Sequence, residues 1–307
     1  MLISNTVLSM LWGSTAHGEQ GEMLSSQIRG VAEESMVLQG APNISDLIPS
    51  LARFDLQGLE RKIHVTFRRL DQIVSSIIEE RRKLGEGNSV GEEAKDLLQV
   101  LLDLNNHGDY AAESSITDNQ IKGFYDRRNR HNIDHNRVDD GRADATSRRN
   151  AAAIKEAFRL HPALPLLVPR CPTEDCQIGR YTIPKGATVF INAYAMHRDP
   201  QLWDSPLEFR PERFLDENAA KFDYLGNSSQ YFPFGTGRRV CPGIPMAEKM
   251  LNYILASLLH SFEWKLAHGS TEVDLTDKFG IVVKLEKPLV LIPTPRLANP
   301  ELYYSYS

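Results

Sequence analysis

The sequence predicts a mainly α chain that carries small β-sheets. Three observations lead there. Apolar residues recur at helical spacing over 59–84 and again after Pro245. Short runs rich in β-branched residues, punctuated by Gly, Pro and Asp, lie between these stretches and near the C-terminal end. A cysteine, Cys241, sits in a glycine-rich loop directly ahead of the second helical stretch. With 307 residues, 41% apolar and 24% charged, the chain has a globular composition and suffices for one large or two smaller domains.

In chain order, residues 1–12 are moderately apolar but interrupted by Ser4, Asn5, Thr6 and Ser9. That falls short of the ~20 apolar residues a membrane span needs, and no basic region precedes them to suggest a secretory signal. Over 59–84, Leu59, Ile63, Phe67, Leu70, Val74 and Ile77 form one stripe of a long helix, which the Gly-rich run 85–89 ends. A short apolar helix is expected over 96–104. Thr117 with Gln120 reads as a capping box that opens another helix. Residues 126–150 break the pattern, with seven arginines, five aspartates and four apolar residues. Taken at face value they are a polar, disordered insert or a flexible RNA-binding tract. A strand and turn follow over 180–186 and a second strand over 188–192; a short helix starts at 197–200, and short strands are expected over 274–291.

The run Phe234-Gly235-Thr236-Gly237-Arg238-Arg239-Val240-Cys241-Pro242-Gly243 carries the most chemistry. A thiolate ahead of a helix N-terminus is stabilised by the helix dipole and by free N–H groups. Such a thiolate with a dry face is a good axial ligand for haem iron. Gly237 and Gly243 let the backbone approach a flat ligand. Arg239 offers a planar charged fork for a carboxylate, and Phe234 would shield the sulfur. After Pro245, the residues Met250, Leu251, Ile254, Leu255, Leu258, Leu259 and Phe262 give the helix a broad apolar face. A lone cysteine is more often a buried structural thiol. Five matched positions of F-x-x-G-x-R-x-C-x-G outweigh that reading here.

This run resembles the haem-binding loop of the cytochrome P450 family. Two further motifs agree in order and spacing: Glu156 and Arg159 as E-x-x-R, and Phe209-Arg210-Pro211-Glu212-Arg213-Phe214 as F-x-P-E-R-F. Alone, Glu156 and Arg159 would read as a solvated helical ion pair. The resemblance, most specific over 152–297, implies a partial cytochrome P450 fold. Its parts would be a remnant of the middle helices over 1–125, an aberrant segment over 126–150 and a haem-binding core over 151–307. It implies haem b (iron protoporphyrin IX) held by Cys241, Arg239, Phe234, Gly237 and Gly243, with Cys241 as the metal ligand. Glu156, Arg159 and Arg213 would form a structural triad, and Leu164, Leu166, Phe279 and Ile281 would border the substrate. The activity implied is hydroxylation of a small hydrophobic molecule with O2, using electrons from NADPH through NADPH–cytochrome P450 reductase. Residues 47–58 and 289–297 look most like plant terpenoid hydroxylases of the geraniol-hydroxylase type. Family members sit on the cytosolic face of the endoplasmic reticulum membrane through an N-terminal anchor, which this sequence is expected to lack.

The central helix of the family, whose acid and threonine activate oxygen, should occupy the region after Thr117; no intact catalytic pair is present over 126–150. A shifted reading frame accounts for this. Permitted codons for 128–137, read one nucleotide later, encode G-T-D-T-T-S-T-T-T, and those for 137–148 encode E-W-M-M-A-E-L-M-Q-H-P-E. Both strings resemble that helix. The expectation is a truncated, frame-shifted copy, so three readings stand: a haem-thiolate monooxygenase, a non-catalytic haem-binding fragment, or a non-functional pseudogene product. A net charge of −5 provides no general field for nucleic acid. The three cysteines form no disulfide framework, and a zinc site from Cys171, Cys176, His161 and His197 has the wrong ligand spacing.

Overall fold

A computed structural model describes residues 18–85, 98–99, 102–103, 141–216, 221–267, 272–278, 280–299 and 303. The chain divides into two units, Met1–Arg128 and Asn129–Ser307. The helix expected from Thr117 and the segment 126–140 lie outside the described residues, as does most of 96–104. From that last stretch, the helical residues Leu98 and Leu102 are both buried.

In the first unit, α1 (Gly18–Gly40) packs along α3 (Leu59–Gly85), with the short α2 (Ile44–Leu47) and a 3-10 turn (Pro49–Phe54) between them. Asn43 caps α2 by accepting from the Ser45 N–H at 2.9 Å. Asp55 caps α3, its two carboxylate oxygens accepting from the N–H groups of Glu60 (3.1 Å) and Arg61 (3.2 Å). Val31 of α1 and Leu59, Val74, Ile77 and Ile78 of α3 are buried. One position of the expected stripe is corrected. Phe67 is 54% exposed while Thr66 is 2% exposed. Thr66 can be buried because its hydroxyl donates to the Lys62 carbonyl at 3.0 Å, leaving no unpaired polar atom.

The first described element of the second unit is α4 (Gly141–Leu160), so 141–150 of the expected polar segment belong to the helix that carries Glu156 and Arg159. A hairpin follows, β1 (Cys176–Ile178) against β2 (Tyr181–Ile183), turning at Gly179 with φ 60°. The strand expected over 188–192 is reduced to one bridge between Val189 and Arg170. Asn192 ends it by capping α5 (Ala193–Met196), its side chain accepting from the Ala195 N–H at 2.9 Å. The short helix therefore stops at His197 and does not begin there. After 3-10 turns at Pro211–Phe214 and Gly237–Arg239 comes α6 (Ile244–Ser261). Next are β3 (Phe262–Leu266), β4 (Asp277–Lys278), β5 (Lys284–Leu285) and β6 (Leu291–Pro295). β3 pairs antiparallel with β6, and β4 with β5.

Aromatic rings fill the core of this unit. Trp203, Phe214, Phe222, Tyr224 and Tyr231 are buried together with Ala152 of α4 and Ile244 at the start of α6. Trp203 stacks on Phe222 at 5.1 Å, and Phe214 meets Tyr231 at 5.2 Å. At the other end of α6 its last carbonyls accept from three distant side chains. Trp264 Nε1 donates to Leu258 (3.1 Å), Arg296 Nη1 to Leu259 (2.8 Å) and the Tyr303 hydroxyl to Ser261 (2.6 Å). The helix is thus held at both ends, one by the aromatic core and one by these caps.

Candidate functional site

Cys241 lies three residues ahead of the first residue of α6, with Gly243 as the residue that precedes the first helical turn. Its thiol is exposed. Its backbone is fixed: the Cys241 N–H donates to the Phe234 carbonyl at 3.0 Å, and the Val240 N–H donates to the Gly237 carbonyl at 3.1 Å. Gly237 turns the loop with φ 70°. A Cβ at Gly243 would stand 3.7 Å from the Cys241 sulfur, so glycine there keeps one side of the sulfur open. Arg239 is exposed, and its carbonyl accepts from Arg170 Nη2 at 3.3 Å. The Phe234 ring points to the core, edge-on to Phe158 (5.0 Å) and Tyr224 (5.4 Å). Gly226 backs the loop; Thr236 Oγ1 donates to its carbonyl at 2.8 Å.

Glu156, Arg159 and Arg213 meet in one buried network. Arg159 binds Glu156 through Nε and Nη2, both at 2.8 Å, and neither side chain is exposed. Arg213 Nε reaches Glu156 at 3.1 Å, and the Arg210 N–H donates to it at 2.9 Å. Arg159 then spends its remaining donors on the carbonyls of His197 (2.6 Å), Pro206 (2.8 Å) and Glu208 (3.1 Å). Its guanidinium also lies over Trp203 at 5.2 Å. One helix is thereby tied to the whole 197–213 stretch.

Leu164 and Leu166 lie in a segment joined to two others by backbone bonds. The Val283 N–H donates to the Ala163 carbonyl (2.8 Å) and the Ile191 N–H to the Leu166 carbonyl (3.3 Å). Leu164 packs on Leu167, Ala193 and Phe232; Leu166 is exposed and Ile281 half-buried. Phe279 lies outside the described residues. A shallow polar recess lined by Lys221, Asp223, Asn227 and Gln230 shares no residue with the thiol loop. Sequence reasoning weighed His197 only as a zinc ligand and a helix start; the structure buries it, bonded to Arg159 on one side and Phe232 on the other. Its only sequence signal was a histidine between the short helix and an Arg-Asp-Pro run.

The profile of the family described as Cytochrome P450 matches residues 150–292. Over 328 residues the chain is 33% identical to Cytochrome P450 76A1 of Solanum melongena, covering 95% of this chain and 68% of that protein. It is 34% identical over 300 residues to a flavonoid 3',5'-hydroxylase of Campanula medium, covering 89% of this chain and 57% of that one. It is also 34% identical over 300 residues to an iridoid oxidase of Catharanthus roseus, covering 86% and 57%. The chain therefore spans well under two thirds of the length of these last two relatives. A zebrafish cytochrome P450 solved with abiraterone has the same fold, with a TM-score of 0.64 at 21% identity over 96% of this chain and 70% of that one. A mainly helical fold with small sheets and a thiol loop ahead of α6 defines the class, and the chain belongs to the cytochrome P450 family.

Haem is the cofactor that membership implies, and the residues present fit it. An exposed cysteine on a fixed backbone, a glycine flank with room beside the sulfur, and an exposed arginine two residues away would supply the groups for iron and a propionate. Among the described residues, no helix is long and apolar enough to cross a membrane.

Proposed function

We propose that this chain carries the haem-binding core of a monooxygenase that hydroxylates a small hydrophobic molecule. The exposed Cys241 thiol, presented by a loop whose backbone is pinned to Phe234, carries this reading. Cys241 would be the axial ligand, Arg239 would pair with a propionate, and Gly237 and Gly243 would admit the flat ring. Phe234 holds the Cys241 amide through its carbonyl while its ring anchors that carbonyl in the core. The chemistry haem b supplies when bound is insertion of one atom of O2 into a C–H bond. The other atom leaves as water, with two electrons from NADPH delivered by NADPH–cytochrome P450 reductase at the endoplasmic reticulum membrane. Glu156, Arg159 and Arg213 tie α4 to the 197–213 stretch, and Leu164, Leu166, Phe279 and Ile281 would face the substrate.

A terpenoid-like molecule is the substrate class put forward, and the likeness to the iridoid oxidase supports it. The likeness to the flavonoid hydroxylase supports a flavonoid instead. Binding-induced changes in the Soret spectrum across both compound classes separate the two. The family assignment of the site is tested by the carbon monoxide difference spectrum of the reduced, haem-loaded chain. A red-shifted Soret band that Cys241→Ser abolishes is the expected result. A spectrum unchanged by that substitution overturns it. A thiolate spectrum without turnover by added reductase identifies a haem-binding fragment without catalysis. Residues 126–150 we read as an out-of-frame translation of the central helix, and a transcript whose shifted frame does not encode G-T-D-T-T-S-T-T-T refutes that.

A further inference from the structure

His197 has no part in the motifs that define the family, yet it lies between the buried arginine network and the thiol loop. Its imidazole is 0% exposed. It stacks on Tyr231 at 5.6 Å and leans on Phe232 at 5.2 Å. Two hydrogen bonds leave it in opposite directions. Its carbonyl accepts from Arg159 Nη1 at 2.6 Å, and its Nε2 accepts from the Phe232 N–H at 3.1 Å. An Nε2 that accepts a backbone N–H carries no proton, so the ring is the neutral tautomer protonated at Nδ1. Phe232 then continues the path. Its carbonyl accepts from the Gly235 N–H at 3.0 Å, closing the turn that presents the Phe234 carbonyl to the Cys241 N–H at 3.0 Å.

We propose that His197 is a positioning residue for the cysteine ligand: it couples the Arg159 network to the Phe232–Gly235 turn and so fixes where the Cys241 backbone stands. The side chain suits this in three ways. It is a rigid acceptor with two rotatable bonds, so little freedom is lost in aiming it. Its aromatic faces pack against the rings of Tyr231 and Phe232. Finally, no other acceptor is bonded to the Phe232 N–H among the described residues, so removing Nε2 leaves a buried donor unpaired. Pro233 follows directly and offers no N–H to replace it. Burial and then the neighbouring charges of Arg159 and Arg198 hold the ring neutral, which keeps Nε2 available as an acceptor at ordinary pH.

The inference matters for ligation only if Cys241 is the haem ligand, but its geometry is testable without haem. In the full chain, His197→Leu removes the acceptor at similar volume, and His197→Gln restores an oxygen near the position of Nε2. Two readouts follow the loop: amide hydrogen exchange of peptides covering 232–241, and the alkylation rate of Cys241 resolved by peptide mapping, with exposed Cys171 as the internal reference. The expected result with His197→Leu is exchange about tenfold faster in 232–241 and a faster Cys241 reaction. The Cys171 rate and the protection of α4 should stay as they were, and His197→Gln should recover most of the difference. Equal effects of the two variants, or loss of protection along α4 in both, show a packing role only and overturn the proposal. An unchanged 232–241 segment in His197→Leu overturns it as well. Failure of the haem reading leaves these outcomes untouched, because neither readout involves the cofactor.

Discussion

Replacing Glu156 by alanine should unfold the second unit far more easily than its single deleted carboxylate suggests. Glu156 accepts four hydrogen bonds, two from Arg159 (2.8 and 2.8 Å), one from Arg213 (3.1 Å) and one from the Arg210 N–H (2.9 Å). Its removal leaves the Arg159 guanidinium with three carbonyl acceptors but no countercharge, at 0% exposure. Breaking a buried pair from one side costs about 3–5 kcal/mol, because the surviving charge is left desolvated and unpaired. That is a large share of a typical stability of roughly 5–15 kcal/mol. For a unit of this size it corresponds to about 10 °C in Tm. Urea unfolding of the full chain followed by far-ultraviolet circular dichroism measures it. The double variant Glu156→Leu with Arg159→Leu should cost less than the sum of the singles, since the fully buried Arg159 charge is then removed with its partner. A loss under about 1 kcal/mol for Glu156→Ala, or strict additivity in the double variant, would refute the desolvation argument.

Two further outcomes follow. At Gly226, with φ 71°, an added Cβ would stand 2.5 Å from the Gly235 carbonyl oxygen and 2.8 Å from Thr236 Cβ. At Gly237, with φ 70°, it would meet nothing within 4 Å. Gly237→Ala should therefore cost only the left-handed backbone strain of about 1–2 kcal/mol. Gly226→Ala should cost more in the same urea titration and speed Cys241 alkylation; equal losses would mean the close approach is relieved. His197 gives a pH signature. Burial first, then the charges of Arg159 and Arg198, pushes its pKa from 6.5 down to about 4. The folded chain then binds fewer protons than the unfolded one between those values. Its contribution is full above about pH 6.5 and is lost as pH falls toward 4, at about 1.4 kcal/mol per pH unit. Across the window this amounts to about 3 kcal/mol. Tyr231, stacked on the ring, stays neutral because burial raises its pKa. His161, whose pKa is also lowered by burial, adds a smaller acid loss of the same sign. His197→Gln should flatten the wild-type slope over this window, and an unaltered slope would assign it to other groups.

What could be read in the sequence was what is local. The thiol loop, the Glu156–Arg159 pair and the long helix are fixed by spacing within a few residues, and the helical pattern over 59–84 became Leu59–Gly85. The errors came where a tertiary contact outweighs a local preference. Phe67 has the right spacing for the stripe, but Thr66 takes the buried position once its hydroxyl pairs with Lys62. Residues 188–192 have strand-forming side chains, yet Asn192 satisfies more backbone by capping α5 than by extending a ladder. Residues 141–150 look too polar for a core helix, but their α4 continues into Ala152, Glu156 and Leu160, all buried. The aromatic core itself was not legible, because its rings come from scattered turns with no period to read.

The same contrast explains how a sequence-distant network could set the site. The motif residues at Cys241 fix the loop's own turns, but a loop with an exposed thiol and glycines at Gly235, Gly237 and Gly243 has little side-chain packing of its own. Its position has to be imposed from outside. Imposed contacts include Phe234 on Phe158 of α4, the Thr236 hydroxyl on Gly226, and Phe232 on His197. The Phe234 and Phe232 contacts run back to α4, the latter through His197 and Arg159. On the proposed coupling through His197, the buried arginine network and the Cys241 loop would act as one mechanical unit. Damage to Glu156 should show itself at Cys241 as faster alkylation before the unit melts. If Glu156→Ala destabilises the fold while Cys241 reacts at its original rate in the native baseline, the two motifs are neighbours in the chain's history but independent in its structure.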